Sequence, residues 1–305
     1  MATEVTCIVD TDGTQNQDYT SLAAAIAGET GASPKCVTSA DLVANDQQLT
    51  IECRASSGAA DGAAEVDGFT QDEDRYVEIY IPPAHRHNGK WSTGKYRIES
   101  TVQDILYIKD SYTRVRGIQV KGSSTDWYNR TVVIDAAADY VVFEDFIIIN
   151  DCQRENMGQY AVGFKASGTS GGVDKHDLVR NGIIICKNYT RRGFYSYMWN
   201  AKLFNVTIYG GEYGIASWYS NLAVAQFTNI VAVGASVSCF YDESSGSGFS
   251  TSSDYNASDD GTAPGANSID LTGVSLGTIF TDYSNEDFSL VSNSPPHRRR
   301  HRPRP

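Results

Sequence analysis

Asp151, Arg154 and Lys165, with Glu155 beside them, lie within the stretch 150–177 and combine two carboxylates with two cationic side chains. Those types suit elimination across an acidic polysaccharide. A calcium ion held by carboxylates offsets the developing negative charge, and Arg154, with Lys165 nearby, takes the proton. Hydrolysis would instead need two carboxylates about 5 to 9.5 Å apart, one as acid and one as base or nucleophile. Asp135, Asp139, Glu144, Asp145 and Asp151 are available for that role. A solvated acidic loop has the same composition and is the preferred reading. Asp151, Arg154 and Lys165 therefore stand as catalytic candidates only, and no metal site is assigned. His85, Arg86 and His87 have no acid at a ligand spacing and read as a structural loop. Asp259-Asp260-Gly261 lacks the other ligands of a calcium loop.

Aromatic residues are the denser signal. Phe194, Tyr195, Tyr197, Trp199, Tyr209, Tyr213, Trp218 and Tyr219 crowd a short stretch. On extended chain, alternate side chains point to opposite faces, so part of the set belongs to the core. Tyr195, Tyr197, Trp199, Tyr213, Trp218 and Tyr219 are the candidates for an outward strip that contacts sugar rings or a partner subunit. Packing in the core or between subunits explains the same residues.

The elements that must position these groups follow from a repeat. FYSYMWNAKLFNVTIYGGEYG, moved by 24 residues, lies on WYSNLAVAQFTNIVAVGASVS. Asn205 then meets Asn229, Gly210 meets Gly234, and one step back places Asn181 in the same frame. A period of this length marks a stacked-repeat architecture. Units this short and rich in β-branched residues read as single coils of a parallel β-solenoid. A β-sandwich with coincident Asn residues is the competing reading. With coils about 4.8 Å apart, Asn181, Asn205 and Asn229 form a ladder of turn residues, expected to be buried and bonded to one another. The apolar runs that follow each Asn supply the next strand.

Near the start, Thr20 or Ser21 is a good N-cap for LAAAIAG, and Gly28 is the expected stop. Such a helix would cover the open end of a first coil. The run DGTQNQDYTSLAAAIAG resembles the opening of right-handed parallel β-helix proteins of the pectate-lyase-like superfamily, phage-encoded members included. PPAHRHNGKWSTGKYRIES resembles a segment that precedes the regular coils in such proteins. YNASDDGTAPGANS and DFSLVSNSP resemble their closing coils. The resemblance implies an all-β, right-handed parallel β-helix with coils of about 24 residues and a short N-terminal capping helix. Residues 1–100 would be the cap and irregular first coils. Residues 101–296 would be the β-helix, with surface excursions at 122–130 and 150–177, and 297–305 a disordered basic tail. The short signatures of polygalacturonases and pectin esterases are absent.

Charge bounds the partners. The chain has 25 basic and 37 acidic residues, and five of the basic ones are arginines in its last eight positions. Without those five the balance is 20 against 37, a net charge of −17. Such a body should repel nucleic acid and anionic membranes. No apolar run approaches a membrane span, and the opening ATEVTCIVDTDG has no signal-peptide pattern. The expectation is synthesis in the cytoplasm and a virion or extracellular location after lysis. The six cysteines are scattered and read as reduced core residues, with Cys36–Cys53 or Cys152–Cys186 as the alternative bridges. The four N-x-S/T sites, Asn129, Asn188, Asn205 and Asn256, arise from composition.

The functional expectation is a non-enzymatic phage-type virion protein (fibre, spike or decoration subunit) presenting a side face to host glycan or neighbouring subunits. It would need no cofactor and would self-associate or bind other virion proteins. The alternatives are a polysaccharide lyase or hydrolase, calcium entering only there, and an appendage subunit that stacks end to end.

Overall fold

The computed structural model describes residues 2–14, 16–125, 129–153, 161–166, 176–196, 202–217, 225–243 and 249–296. Among these residues, ten strands follow one another in parallel along the main path of a large sheet. The path starts at Thr3–Asp10, Gln47–Arg54 and Val77–Tyr80. It continues through Arg114–Arg116, Val142–Cys152, Leu178–Asn188 and Lys202–Tyr209 to Val231–Val233, Ala257–Ser258 and Ile269–Asp270. A second sheet of seven parallel strands takes one strand per coil: Ala64–Val66, Asp104–Ile108, Asn129–Ile134, Ala161–Ala166, Arg192–Ser196, Tyr213–Ser217 and Ser238–Asp242. The chain is thus an all-β parallel β-helix. The sheet that carries the repeats runs back to Thr3 and includes strands from the region read as cap.

The large sheet bends once per coil. Val142–Glu144 pairs with one preceding strand and Ile147–Asn150 with another, and Asp145 between them has φ 55°. Asn181, Asn205 and Asn229 occupy the same station with φ 58°, 54° and 57°. Asn is among the few non-glycine residues that visit this left-handed region routinely, which explains why it recurs. The Asn229 amide donates to Asn205 Oδ1 at 3.1 Å, and Asn205 donates to Asn181 Oδ1 at 3.1 Å. Asn181 reaches Asp145 Oδ1 at 3.4 Å. Arg86 closes the row with a 3.0 Å ion pair to Asp145, and His87 Nε2 lies 2.8 Å from the Asp145 carbonyl. The His85-Arg86-His87 loop therefore sits on the head of the ladder. The ladder was expected to be buried, but Asn181 and Asn205 are exposed and Asn229 is half-buried. The interior of the bend is filled by apolar neighbours, so the turn side chains face outward.

Inside, phenylalanines stack from coil to coil. Phe143 meets Phe164 edge-on at 5.1 Å, Phe164 meets Phe194 at 5.4 Å, and Phe194 meets Phe227 at 6.2 Å. Complete burial of such a side chain contributes about 1.5 to 3 kcal/mol. On the second sheet, a Cβ at Gly193 would come within 2.6 Å of both the Gly214 carbonyl and Ile208 Cγ2, so the coils can pack only with glycine there.

Side chains and irregular chain cap strand edges toward both ends. The helix Leu22–Glu29 is capped by Ser21, whose hydroxyl accepts from the Ala24 amide at 3.1 Å. Gly28 does not stop it; the helix runs one residue further, and Gly28 is where the Tyr19 ring packs too closely for a Cβ. Asp18 and Tyr19 lie along the outer edge of the first strand, with the Ile8 amide donating to Asp18 Oδ2 at 2.8 Å. At the other end, Asp260 Oδ2 accepts from the Cys239 amide at 2.8 Å and Asp259 Oδ2 from the Gly234 amide at 2.8 Å. The Phe240 amide donates to Thr262 at 3.0 Å. The Asp259-Asp260 carboxylates thus terminate a strand edge.

The chain finishes by folding back. Ile147, Ile149, Ile185, Val231 and Val233 form an apolar stripe on the outside of the large sheet. The antiparallel hairpin Phe280–Asp282 and Asp287–Leu290 covers it, with Phe288 5.0 Å from Tyr209 and Lys187 paired to Glu286. Cys7 and Cys36 form a disulfide with Cα atoms 5.7 Å apart. The expectation of reduced core cysteines thus fails at Cys7 and Cys36 and holds for Cys53, Cys152, Cys186 and Cys239, which are free and buried; neither alternative bridge, Cys36–Cys53 or Cys152–Cys186, forms. Cys36 lies in the irregular segment after the helix, which only the fold brings beside the first strand.

Candidate functional site on the seven-stranded sheet

Parallel register decides which side chains stand together on the outer side of this sheet. Asp104 aligns with Arg130, while Tyr107, Val133, Lys165, Tyr195, Ala216 and Tyr241 form one column across successive coils. Arg130 grips Asp104 with two bonds of 2.6 Å, Nε to Oδ1 and Nη2 to Oδ2. Such bidentate pairs are among the stronger charge-assisted bonds. The Tyr107 hydroxyl donates to Asp135. Burial, and then that carboxylate, push the Tyr107 phenol up to about 12. Lys165 is half-buried beside these groups. Burial and the Arg130 charge hold its ammonium below the ordinary lysine range, against the pull of Asp104 and Asp135.

Further along the sheet, Arg192 and Glu243 pair with side chains only 3% and 5% exposed. The Arg192 guanidinium lies 4.4 Å from the Tyr195 ring centre, and Tyr213 stacks on Tyr241 at 4.4 Å. At the opposite end, the helix and the sheet enclose a groove of about 490 Å³. Four alanines (Ala23, Ala27, Ala63, Ala64) line it together with Ile26, Thr30, Glu65, Asp67, Asp104 and Tyr107. The three carboxylates are paired, Asp104 to Arg130 and Glu65 and Asp67 to Lys109, whose ammonium stands 5.1 Å from the Tyr107 ring centre. The groove thus combines small apolar residues, one aromatic ring and paired charged groups, a lining that suits a polyhydroxylated ligand.

The structure separates the catalytic candidates. Asp151 ends a strand of the large sheet, opposite Lys187, and its Oδ1 accepts from Asn188 at 2.5 Å and Gln153 at 2.7 Å. Lys165 stands on the other sheet, where Arg130, Asp104 and Asp135 set its electrostatics. Arg154 and Glu155 lie outside the described residues, as do Tyr197, Trp199, Trp218 and Tyr219. Tyr195 and Tyr213 are 9% and 8% exposed, packed with Ala216 and Tyr241. These two rings are therefore covered and present no open stacking face. The pairing of Arg192 with Glu243, the grip of Arg130 on Asp104 and the role of Arg86 had no sequence signal, since each joins residues 26 to 59 positions apart.

Among the described residues, no helix is long and apolar enough to cross a membrane. No family model matches the chain, and neither a curated protein nor a solved structure matches it. Its class is set by the fold itself, a parallel β-helix with a groove at one end of its seven-stranded sheet.

Proposed function

We propose that the chain is a non-enzymatic, phage-type virion structural protein of the pectate-lyase-like kind, a rigid rod that offers the outer side of its seven-stranded sheet to host glycan. The observation that carries this reading is the helix-lined groove, in which Tyr107, Asp104, Glu65 and Asp67 stand with four alanines. Sugar hydroxyls donate to carboxylates, and a sugar face packs on an aromatic ring. With Asp104 paired to Arg130 and Glu65 and Asp67 to Lys109, the groove has no cationic excess, which fits a neutral glycan. The resemblance of DGTQNQDYTSLAAAIAG and the closing segments to phage-encoded β-helices supports the same reading. The edging of the first strand by Asp18 and the capping of the last strand of the seven-stranded sheet by Asp260 oppose an appendage built by end-to-end stacking. Calorimetric titration with neutral oligosaccharides tests the proposal. Binding should be weakened about tenfold or more by Tyr107→Ala, the loss of one good ring contact. Equal binding by that variant, or none by the parent, overturns it.

Lys165 favours one second reading, a polysaccharide lyase. An amine held below its ordinary range by burial and by Arg130 is unprotonated more of the time than a free lysine, as a proton-abstracting base requires. Asp151 does not share its face, so a calcium ion bound there would not act beside this base. Appearance of unsaturated product from an acidic polysaccharide, lost in Lys165→Met, would establish that reading.

A further inference from the structure

We propose that Cys7, Cys36 and Asp18 form an exchange site at the N-terminal end of the β-helix, closed as a disulfide when oxidised and able to hold a zinc-type divalent cation when reduced. Cys7 is fully buried on the first strand, and Cys36 is half-buried in the segment that follows the helix. Asp18 lies on the edge of the first strand, where its Oδ2 takes the Ile8 amide at 2.8 Å. One ligand atom from each of the three lies within 4.8 Å of the others. A point central to such a triangle is about 2.8 Å or less from each corner; once the bridge is reduced, the two sulfurs part to about 3.8 Å for a tetrahedral zinc to take its 2.3 Å to sulfur and 2.0–2.2 Å to carboxylate. Two thiolates and one carboxylate are a zinc-type donor set, and three protein ligands leave the fourth position to water.

The surroundings fit a cation as well as a bridge. Glu29 Oε1 is 3.8 Å from Cys7 Sγ but is already engaged, accepting from Tyr19 Oη at 2.7 Å and from the Lys35 amide at 3.0 Å. Its Oε2 accepts from the Val37 amide at 2.9 Å. It therefore orients the segment that carries Cys36 and adds no ligand. Two thiolates, Asp18 and the buried Glu29 carboxylate bring four negative charges; a divalent cation and the Lys35 ammonium, which donates to the Asp18 carbonyl, offset three of them, and the backbone and Tyr19 donors on Glu29 serve the fourth. In both states the first strand is tied to the segment after the helix, so the cap is held in reducing and oxidising surroundings alike.

Opening the bridge needs a reductant. A trialkylphosphine takes oxygen from one water and leaves its two hydrogens on the sulfurs, giving phosphine oxide and two thiols; binding the metal then releases both protons. The test is titration of the phosphine-reduced chain with Co²⁺ as a spectroscopic probe. One equivalent should give an intense thiolate-to-metal absorption that Zn²⁺ abolishes, and the oxidised chain should give none. Cys36→Ser should lose the band although Cys53, Cys152, Cys186 and Cys239 remain. Asp18→Asn should keep it with affinity weakened about tenfold or more. In the reduced parent chain, one equivalent of Zn²⁺ should slow alkylation of Cys36 at least about tenfold, a readout that does not depend on any variant folding. No band, an unchanged band in Cys36→Ser, unchanged affinity in Asp18→Asn, or an unchanged alkylation rate overturns the proposal.

Discussion

Asn205 shows what the turn demands of a single residue. It holds φ 54° and links Asn181 to Asn229 through two 3.1 Å bonds. Alanine there keeps neither the amide nor ease in the left-handed region, which costs about 1–2 kcal/mol for a residue with a Cβ. With the lost bonds at the low end of about 0.5–1.5 kcal/mol each because the site is exposed, Asn205→Ala should lose about 2–3 kcal/mol. Glycine takes positive φ freely, so Asn205→Gly should lose only about 1 kcal/mol. Urea midpoints decide this, and an ordering with glycine worse than alanine would remove the backbone argument. Glu144 supplies the pH dependence. Burial opposes its ionisation, but Arg180 and Arg116, each donating at 2.6 Å, hold its carboxyl below the ordinary 4.5. A depressed folded pKa gives stability that is present above the unfolded value and lost as pH falls through the folded one. Glu144→Gln should therefore destabilise at pH 7 by about 1–2 kcal/mol, toward the low end because the two arginines are 42% and 43% exposed. It should also flatten the loss of stability below pH 4.5. Parallel acid limbs for parent and variant would contradict the linkage.

At the scale of elements, the C-terminal hairpin differs from the coils it covers. It adds no strand to either sheet and is held by Phe280 and Phe288 on the apolar stripe and by Lys187 with Glu286. Removing Phe288, which is 3% exposed, takes away about 3–5 kcal/mol of packing. Because the sheets close without the hairpin, that loss should appear locally. Phe288→Ala is expected to speed proteolysis between 280 and 290 and to raise binding of an apolar dye, with far-ultraviolet dichroism kept. Cooperative loss of all structure at one lowered midpoint, with no earlier cleavage in the hairpin, would mean that hairpin and coils form a single folding unit. The early helix has a matching role. Its first amide, at Leu22, donates to buried Asp61 at 2.8 Å, and Asp61 also accepts from Tyr96 at 2.6 Å. One carboxylate thereby fixes both the cap and the third coil.

For the whole molecule, the capped strand edges govern assembly. Backbone donors at and before the last strand of the seven-stranded sheet, at Gly234, Cys239 and Phe240, are taken by Asp259, Asp260 and Thr262, and the first strand of the large sheet is edged by Asp18 and Tyr19. A solenoid with occupied edges should not grow end to end. Light scattering with negative-stain microscopy should show no filaments at any concentration, and any self-association should be lateral. Filaments with a 4.8 Å axial repeat across subunit junctions would show that the caps open.

The 24-residue period, the Asn station and the N-capped early helix were legible in the sequence because stacking places identical environments at a fixed spacing, and local chemistry selects the same residue at each. The sequence determined by itself that the chain is all-β, that its coils stack in parallel, and which residue turns them. It grouped Lys165 with Asp151 and Arg154, and Tyr195 and Tyr213 with an outward aromatic strip. Only the tertiary structure decided that Tyr195 and Tyr213 are covered, that Asp151 and Lys165 belong to different sheets, and that Cys36 pairs with Cys7. The reason is physical. A coil's period is written along the chain, but contacts between distant coils depend on register, on the bend at each left-handed residue and on where excursions return. The groove bordered by Tyr107 and Asp104 exists only because the helix folds back against the second sheet, a closure that no local spacing records.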